Sequence, residues 1–169
     1  MDKNIKSRGI MKHKYTWIRE SNLIEGIDDE FEDEWGEIVW NLLRLEEFEL
    51  DTVLWIHGQL LKYLNPRIAG HLRECDVQVG NYVCPTWENV PYLLENWITK
   101  YSKKTLKNFN INEIMLSHIE FEKIHPFEDG NGRIGRMLMN WQRERVSLEP
   151  LCIYEKEKQE YYKWFNEEY

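Results

Sequence analysis

Residues 125–136 read HPFEDGNGRIGR. Pro126 makes it difficult for a helix to continue past Ile124. Gly130 and Gly132 flank Asn131, so the backbone there can turn sharply and approach a ligand closely. A new helix is expected from about Gly132, with Ile134, Met137, Leu138 and Trp141 on its apolar side. The stretch therefore reads as helix, tight turn, helix, with chemistry concentrated in the turn. His125 exchanges a proton near neutral pH, as a general base must. Asp129 is a hard oxygen ligand suited to Mg²⁺. The N–H groups opening the new helix favour an anion such as phosphate. Arg133 and Arg136, three residues apart, share roughly one side of that helix, and each guanidinium can grip phosphate with two donors. Taken singly, His125 or Arg133 would be an ordinary turn-flanking or solvated residue. Together these groups form a phosphate-handling set. It is not a P-loop, because no GxxxxGK[ST] is present.

Outward from this centre the chain is mostly helical. TWIRESNLIEG predicts a short helix ending near Gly26, preceded by a basic stretch expected to fray. The acidic run DDEFEDE leads into an amphipathic helix with Trp35, Ile38, Val39 and Leu42 as its apolar set. Leu50, Val53, Leu54, His57, Leu60, Leu61 and Leu64 predict another helix, stopped by Pro66, with His57 buried and hydrogen-bonded. Residues 76–85, DVQVGNYVCP, break the helical period and alternate instead. Val77, Gln78 and Val79, then Gly80 and Asn81, then Tyr82 and Val83, predict a hairpin whose two turn residues tolerate positive φ. An isolated hairpin in a helical protein packs on helices or offers an edge to a partner. A helix begins again at Thr86, with Pro91 in its early turns and Val90, Leu93, Leu94, Trp97, Ile98 and Tyr101 inside. Asn112 is expected to cap the next helix, whose inner face uses Met115, Ile119 and Glu122. A last helix covers Glu155 to Glu167. The sum is about seven helices and one small hairpin.

With 169 residues, 42% of them hydrophobic and 8 tryptophans, the chain is expected to form one domain, residues 1–169, around one sizeable core. The formal charge of -8, from 22 basic and 30 acidic residues, argues against a nucleic-acid backbone as the main partner. No run of about 18 apolar residues predicts a membrane span, and the basic start lacks a signal-peptide core. Cys75, Cys84 and Cys152 have no metal-ligand spacing and suit a reducing cytoplasm.

HPFEDGNGRIGR resembles the Fic family, matching its HPFxDGNGRxxR signature at every specified position. FEKIHPF upstream and the AGHLR segment, Ala69 to Arg73, are also similar to that family. The resemblance spans roughly residues 17–145. It implies a compact helical Fic fold with a β-hairpin flap, an inhibitory helix at about 17–26 and a core at about 35–145. It implies a protein adenylyltransferase that moves AMP from ATP to a Ser, Thr or Tyr hydroxyl of a target protein, itself included. His125 would deprotonate the hydroxyl and Asp129 would hold Mg²⁺ on the α/β-phosphates. Gly130, Asn131 and Gly132 would form the anion hole, Arg133 would bind phosphate, and Arg136 the γ-phosphate. The flap, Val77 to Val83, would align the target by main-chain pairing. Gly132 stands where the Doc-like branch carries a lysine, which favours nucleotidyl transfer. A phosphocholine-transferring branch shares the motif, and a non-catalytic module retaining the fold is a third reading, disfavoured by the intact set.

Ser21-Asn22-Leu23-Ile24-Glu25-Gly26 matches the family's inhibitory pattern [S/T]xxxE[G/N]. The resemblance implies that Glu25 pairs with Arg136 and competes with the γ-phosphate for one guanidinium. Ser21, one turn earlier, is placed to brace it. In some family members the same glutamate supports removal of AMP, so brake and hydrolytic helper both stand at this point.

Overall fold

In the computed structural model, residues 15–102 and 110–165 are described. The basic stretch before Tyr15 and the expected last helical turn at 166–167 lie outside them. The elements run α1 (Thr16–Ile24), α2 (Glu30–Leu43), α3 (Leu50–Leu61), β1 (Gln78–Val79), β2 (Tyr82–Val83), α4 (Val90–Ser102), α5 (Ile111–Ile124), α6 (Asn131–Arg145) and α7 (Lys158–Lys163). Short 3-10 turns at Trp87–Asn89 and Glu155–Glu157 lead into α4 and α7. The mostly helical fold with one hairpin is as expected.

Helix α6 is the axis. Asn131 and every residue from Arg133 to Gln142 are buried, so the helix carrying the signature is enclosed by the others. Helices α5, α3 and α1 pack on it. The main core gathers Val39, Trp40, Leu60, Phe121, Phe127 and Ile134. A smaller cluster of Ile24, Ile114, Met139, Ile153 and Tyr161 joins α1 to the C-terminal segment. Helix α1 lies close against α2 at Gly36, where a Cβ would meet Ile18 Cγ2 at 2.7 Å. A side chain there would force the Ile18 side chain or the helices to shift.

Several local expectations need correction. In α2, Ile38 and Leu42 face solvent at 49% and 46% exposure, while Glu32 and Asp33 of the acidic run are buried. The apolar stripe has the right period, but neighbouring helices reward Val39, Trp40 and Leu43 instead. Asp33 is buried because Asn22 Nδ2 and Arg19 Nη1 donate to its two oxygens at 2.7 and 2.6 Å. Asp29 caps α2 by accepting from the N–H groups of Phe31 and Glu32. The α5 cap is Asn110, not Asn112. Its side chain accepts from the N–H of Glu113 while the Glu113 side chain accepts from the N–H of Asn110, a reciprocal box that needs residues three apart. Its inner face is Ile114, Ser117, His118, Ile119 and Phe121. Leu64 lies past the end of α3 and is exposed. Thr86 precedes a 3-10 turn rather than the α-helix itself.

In the hairpin only Gly80 has positive φ, at +57°. Asn81 does not, which is the requirement of a turn with its special residue in the first central position. Strands β1 and β2 pair antiparallel, Gln78 with Val83 and Val79 with Tyr82.

Candidate active site

Helix α5 ends at His125, which adopts the left-handed conformation, φ 49° and ψ 63°, and donates its backbone N–H to Phe121 O. A non-glycine residue there is uncommon and must be held. The holder is Arg73, a buried residue at 1% exposure. Its Nε donates to His125 O at 2.8 Å, and its backbone N–H donates to Pro126 O at 3.0 Å. The same guanidinium donates to Cys75 O at 2.8 Å and Pro85 O at 2.6 Å. Those carbonyls stand on either side of the hairpin. One cation thus ties both feet of the flap to the end of α5.

The His125 ring donates from Nδ1 to Glu122 O at 3.3 Å. A carbonyl can only accept, so the proton sits on Nδ1 and Nε2 keeps its lone pair. Burial, with a further push from Arg73, lowers the pKa below the ordinary histidine value, against the pull of the Glu122 carbonyl. The neutral, proton-accepting form is therefore the one present at neutral pH.

The turn after His125 is held from within. Asn131 accepts from Phe127 N–H at 3.0 Å and donates to Phe127 O at 2.9 Å. Its amide oxygen and one of its two amide N–H donors are thereby engaged by the loop, beside the backbone N–H groups that open α6. The first bond of α6 runs from Ile134 N–H to Gly130 O at 3.1 Å. The N–H groups of Asn131, Gly132 and Arg133 precede it and are the unpaired donors every helix start carries. Gly130 has φ +81°, and a Cβ there would meet Leu61 Cδ2 at 2.7 Å. His57, read from sequence as buried and hydrogen-bonded, is both. Its Nδ1 accepts from Gly70 N–H at 2.8 Å, so Nε2 is the donor and reaches Asp129 O at 3.2 Å. Its ring stacks on Phe127 with centroids 3.8 Å apart. Burial lowers its pKa to about 4, which keeps the ring neutral. The Asp129 carboxylate is exposed and takes one local hydrogen bond, from Gly130 N–H at 2.7 Å. Among the described residues no three His, Cys, Asp or Glu side chains gather as a metal cage. A single aspartate beside a phosphate site is the donor set Mg²⁺ uses when phosphates supply its other ligands.

The two arginines diverge. Arg133 donates to Glu32 Oε2 at 3.1 Å, with both side chains almost fully buried, so it ties α6 to α2. Arg136 turns to α1. Its Nε donates to Ser21 Oγ at 2.8 Å, and its Nη2 donates to Ser21 O at 3.0 Å and Glu25 Oε1 at 2.6 Å. Burial opposes its charge, but Tyr161 and then Glu25 outweigh that and raise its pKa. Glu25 itself ends α1, followed by Gly26 at φ +76°. Gly132 faces the same contact, where a Cβ would collide with Glu25 Oε1 and crowd Arg136. The structure thus brings together His125, the 129–132 turn, Arg136, Ser21 and Glu25, and turns Arg133 away. The sequence reading missed Arg73, Glu32 and Tyr161. Arg73 lay within the quoted AGHLR segment, but nothing in its spacing marked it as the flap anchor.

The pattern of the family described as Fic/DOC matches residues 47–142, more than half of the chain. The chain belongs to the Fic/DOC family. Curated relatives named protein adenylyltransferase Fic include one from Drosophila grimshawi, 31% identical over 125 residues, covering 72% of this chain and 26% of the relative. Another, from Nematostella vectensis, is 31% identical over 127 residues, covering 73% of this chain and 29% of the relative. The chain therefore spans about a quarter of the length of these relatives. Among solved structures, Fic-1 (residues 134–508) of C. elegans superposes with TM-score 0.76 at 20% identity, covering 91% of this chain and 55% of that one. A Fic domain containing signaling protein from Bacteroides thetaiotaomicron gives TM-score 0.76 at 18% identity, covering 87% and 68%. At such identities the agreement is one of Fic fold. Among the described residues no helix is long and apolar enough to cross a membrane.

Proposed function

We propose that this Fic domain transfers AMP from ATP to a Ser, Thr or Tyr hydroxyl of a protein, and that Glu25 restrains it. His125 Nε2 takes the hydroxyl proton as the oxygen bonds to the α-phosphorus. The bond from that phosphorus to the β-bridging oxygen breaks, and pyrophosphate leaves with the electron pair. Bound at Asp129, Mg²⁺ would neutralise charge on the phosphates. The N–H groups of residues 131–133 receive the phosphate oxygens, with Arg136 as ligand of the γ-phosphate. Arg133 reaches phosphate only by giving up Glu32. The target lies extended along the flap. Three unpaired thiols, Cys75, Cys84 and Cys152, suit the reducing cytoplasm as its compartment.

The observation that carries the reading is the 2.6 Å contact of Glu25 with Arg136. A carboxylate occupying that guanidinium excludes a γ-phosphate from it. Transfer of radiolabelled α-phosphate should be low in the wild type and raised at least tenfold by Glu25→Gly. Glu25→Gln removes the charge without loosening the helix end and should act in the same direction. Glu25→Gly with Arg136→Ala should be inactive again. If neither single change raises transfer, Glu25 is not the restraint.

A second reading rests on the same residue. Glu25 Oε1 contacts Arg136 and its side chain is 35% exposed, which supports a role for the other oxygen in orienting a water for AMP removal. Loss of AMP from a pre-labelled target in the wild type, abolished by Glu25→Gly, would establish it.

A further inference from the structure

Tyr161 lies on α7, beyond the family-matched residues 47–142, and is 3% exposed. Its hydroxyl sits between two groups. Arg136 Nη1 is 3.4 Å away and His118 Nε2 is 2.9 Å away. The Arg136 end of this chain has a fixed direction: a guanidinium only donates, so Tyr161 oxygen accepts from Arg136. In the Nδ1–H tautomer of neutral His118, Nε2 accepts the hydroxyl proton. Burial, and then the Arg136 charge, lower the His118 pKa to about 3, so the His118 ring is neutral throughout the neutral range. The Tyr161 and His118 rings lie 5.8 Å apart at 25°, and the Arg136 guanidinium carbon is 5.5 Å from the Tyr161 ring centre. Tyr161 thus cannot rotate its lone pair away from Arg136 without breaking its bond to His118.

The other partners of Arg136 come from the restraining helix. Nε and Nη2 go to Ser21 and Glu25, both on or ending α1. Any movement of α1 that withdraws Glu25 also loosens Ser21. Tyr161 holds Nη1 from a different element, in a cluster that includes Ile114 of α5 and Met139 of α6 as well as Ile24 of α1.

We propose that Tyr161 is a positioning residue for Arg136, keeping its guanidinium in place when Glu25 withdraws, so that the γ-phosphate meets a ligand already aimed. This rests on the reading of Arg136 as the γ-phosphate ligand. The C-terminal segment then belongs to the nucleotide site although no atom of it touches the reacting phosphorus.

The test compares Glu25→Gly with Glu25→Gly/Tyr161→Phe, which removes one oxygen and keeps the packed ring. Calorimetric titration with Mg-ATP and with Mg-ADP is one readout. NMR exchange rates of the Arg136 guanidinium N–H groups, without nucleotide, are the other. The double variant should bind ATP about tenfold more weakly, as expected for loss of one hydrogen bond to a charged group. ADP affinity should be unchanged, and Arg136 N–H exchange should speed up by a similar factor. Unchanged exchange overturns the proposal whatever the affinities. Equal loss of ATP and ADP binding also overturns it, because that is general loosening. If Glu25→Gly shows no preference for ATP over ADP, the γ-phosphate reading of Arg136 has failed, and the exchange rates alone decide the Tyr161 contact.

Discussion

Arg136 is the residue at which the competing interests of this molecule meet. It is 3% exposed, and a buried guanidinium must be paired or its desolvation is unrecovered. Glu25 supplies the pairing charge, so the residue proposed to restrain the site also stabilises it. Removing Glu25 exposes Arg136 to whatever anion is present, and a triphosphate is the natural replacement. His125 has a different task. On the proposed reading it takes a proton from the target hydroxyl and holds no phosphate, so His125→Ala should abolish transfer while calorimetric ATP affinity changes less than threefold. Full activity in that variant would move the base elsewhere. Because its pKa is lowered, the acid limb of the transfer rate in the Glu25→Gly background should lie below pH 6.5. Asp129 is the exposed carboxylate of the turn, with Glu128 engaged by Arg67 at 2.8 Å. Asp129→Ala should shift the Mg²⁺ dependence of transfer to at least tenfold higher concentration. An unchanged titration would place the metal ligand on another residue.

At the scale of elements, the flap and α5 are coupled through one cation. Arg73 fixes the hairpin feet and the His125 carbonyl together, so a strand lying on the flap is registered to the base. The register also tells which groups a partner strand can use. Cys84 N–H donates to Val77 O at 3.2 Å, and bonded pairs alternate along an antiparallel ladder. Val79 with Tyr82 is then the next bonded pair, and Gln78 with Val83 turns its N–H and C=O groups outward. Val83→Pro should therefore remove an outward N–H, lowering transfer to a protein target while ATP binding survives. Val79→Pro should instead disrupt the hairpin itself. Transfer unchanged in Val83→Pro would show that β2 is not the docking edge. Sequence pattern located the hairpin and its turn, because alternation and a glycine are local signals. It did not give the alternation of free edges, which depends on pairing across the turn. The expected faces of α2 and α5 fared less well for the same reason. Ile38 and Leu42 fit a helical stripe as well as Val39 and Trp40 do, and only the neighbouring helices select between them.

At the scale of the molecule, buried titrating groups set how stability responds to pH. Burial lowers His57 to about 4 and His118 to about 3, and lowers His125 as well, from an ordinary 6.5. Between those values the unfolded chain binds more protons than the folded one, so stability falls as pH drops below about 6.5. Glu122 acts oppositely. As a residue it is half-buried, but its Oε1 is shielded from water and without a hydrogen-bond partner among the described residues. Burial raises its pKa from 4.5 to about 8, against the lowering effect of Arg136. The folded state therefore holds the extra proton, and stability is lost as pH rises from 4.5 towards 8. The three histidines outweigh the one carboxyl below 6.5, and above it the carboxyl leads, joined towards pH 9 by the Cys84 and Cys152 thiols, which burial raises from 9.0. Urea unfolding across pH 4 to 9 should show greatest stability near pH 6.5, and Glu122→Gln should flatten the alkaline fall. A fall of the same slope in that variant would assign it to other groups.

The sequence by itself determined the helix–turn–helix at 125–136, the mostly helical architecture, the hairpin and the short helix ending at Glu25-Gly26. These follow from local rules: glycine and proline punctuation, period, and residue types matched to phosphate chemistry. Only the tertiary structure decided where each charged side chain goes. Arg133 and Arg136 are three apart and chemically identical, yet one faces Glu32 and the other Glu25. Nothing within α6 distinguishes them. The difference arises because Glu32 of α2 reaches one side of that helix, while α1 and the C-terminal segment meet it on another, and a buried guanidinium pairs with whatever carboxylate or hydroxyl the opposing element brings within reach.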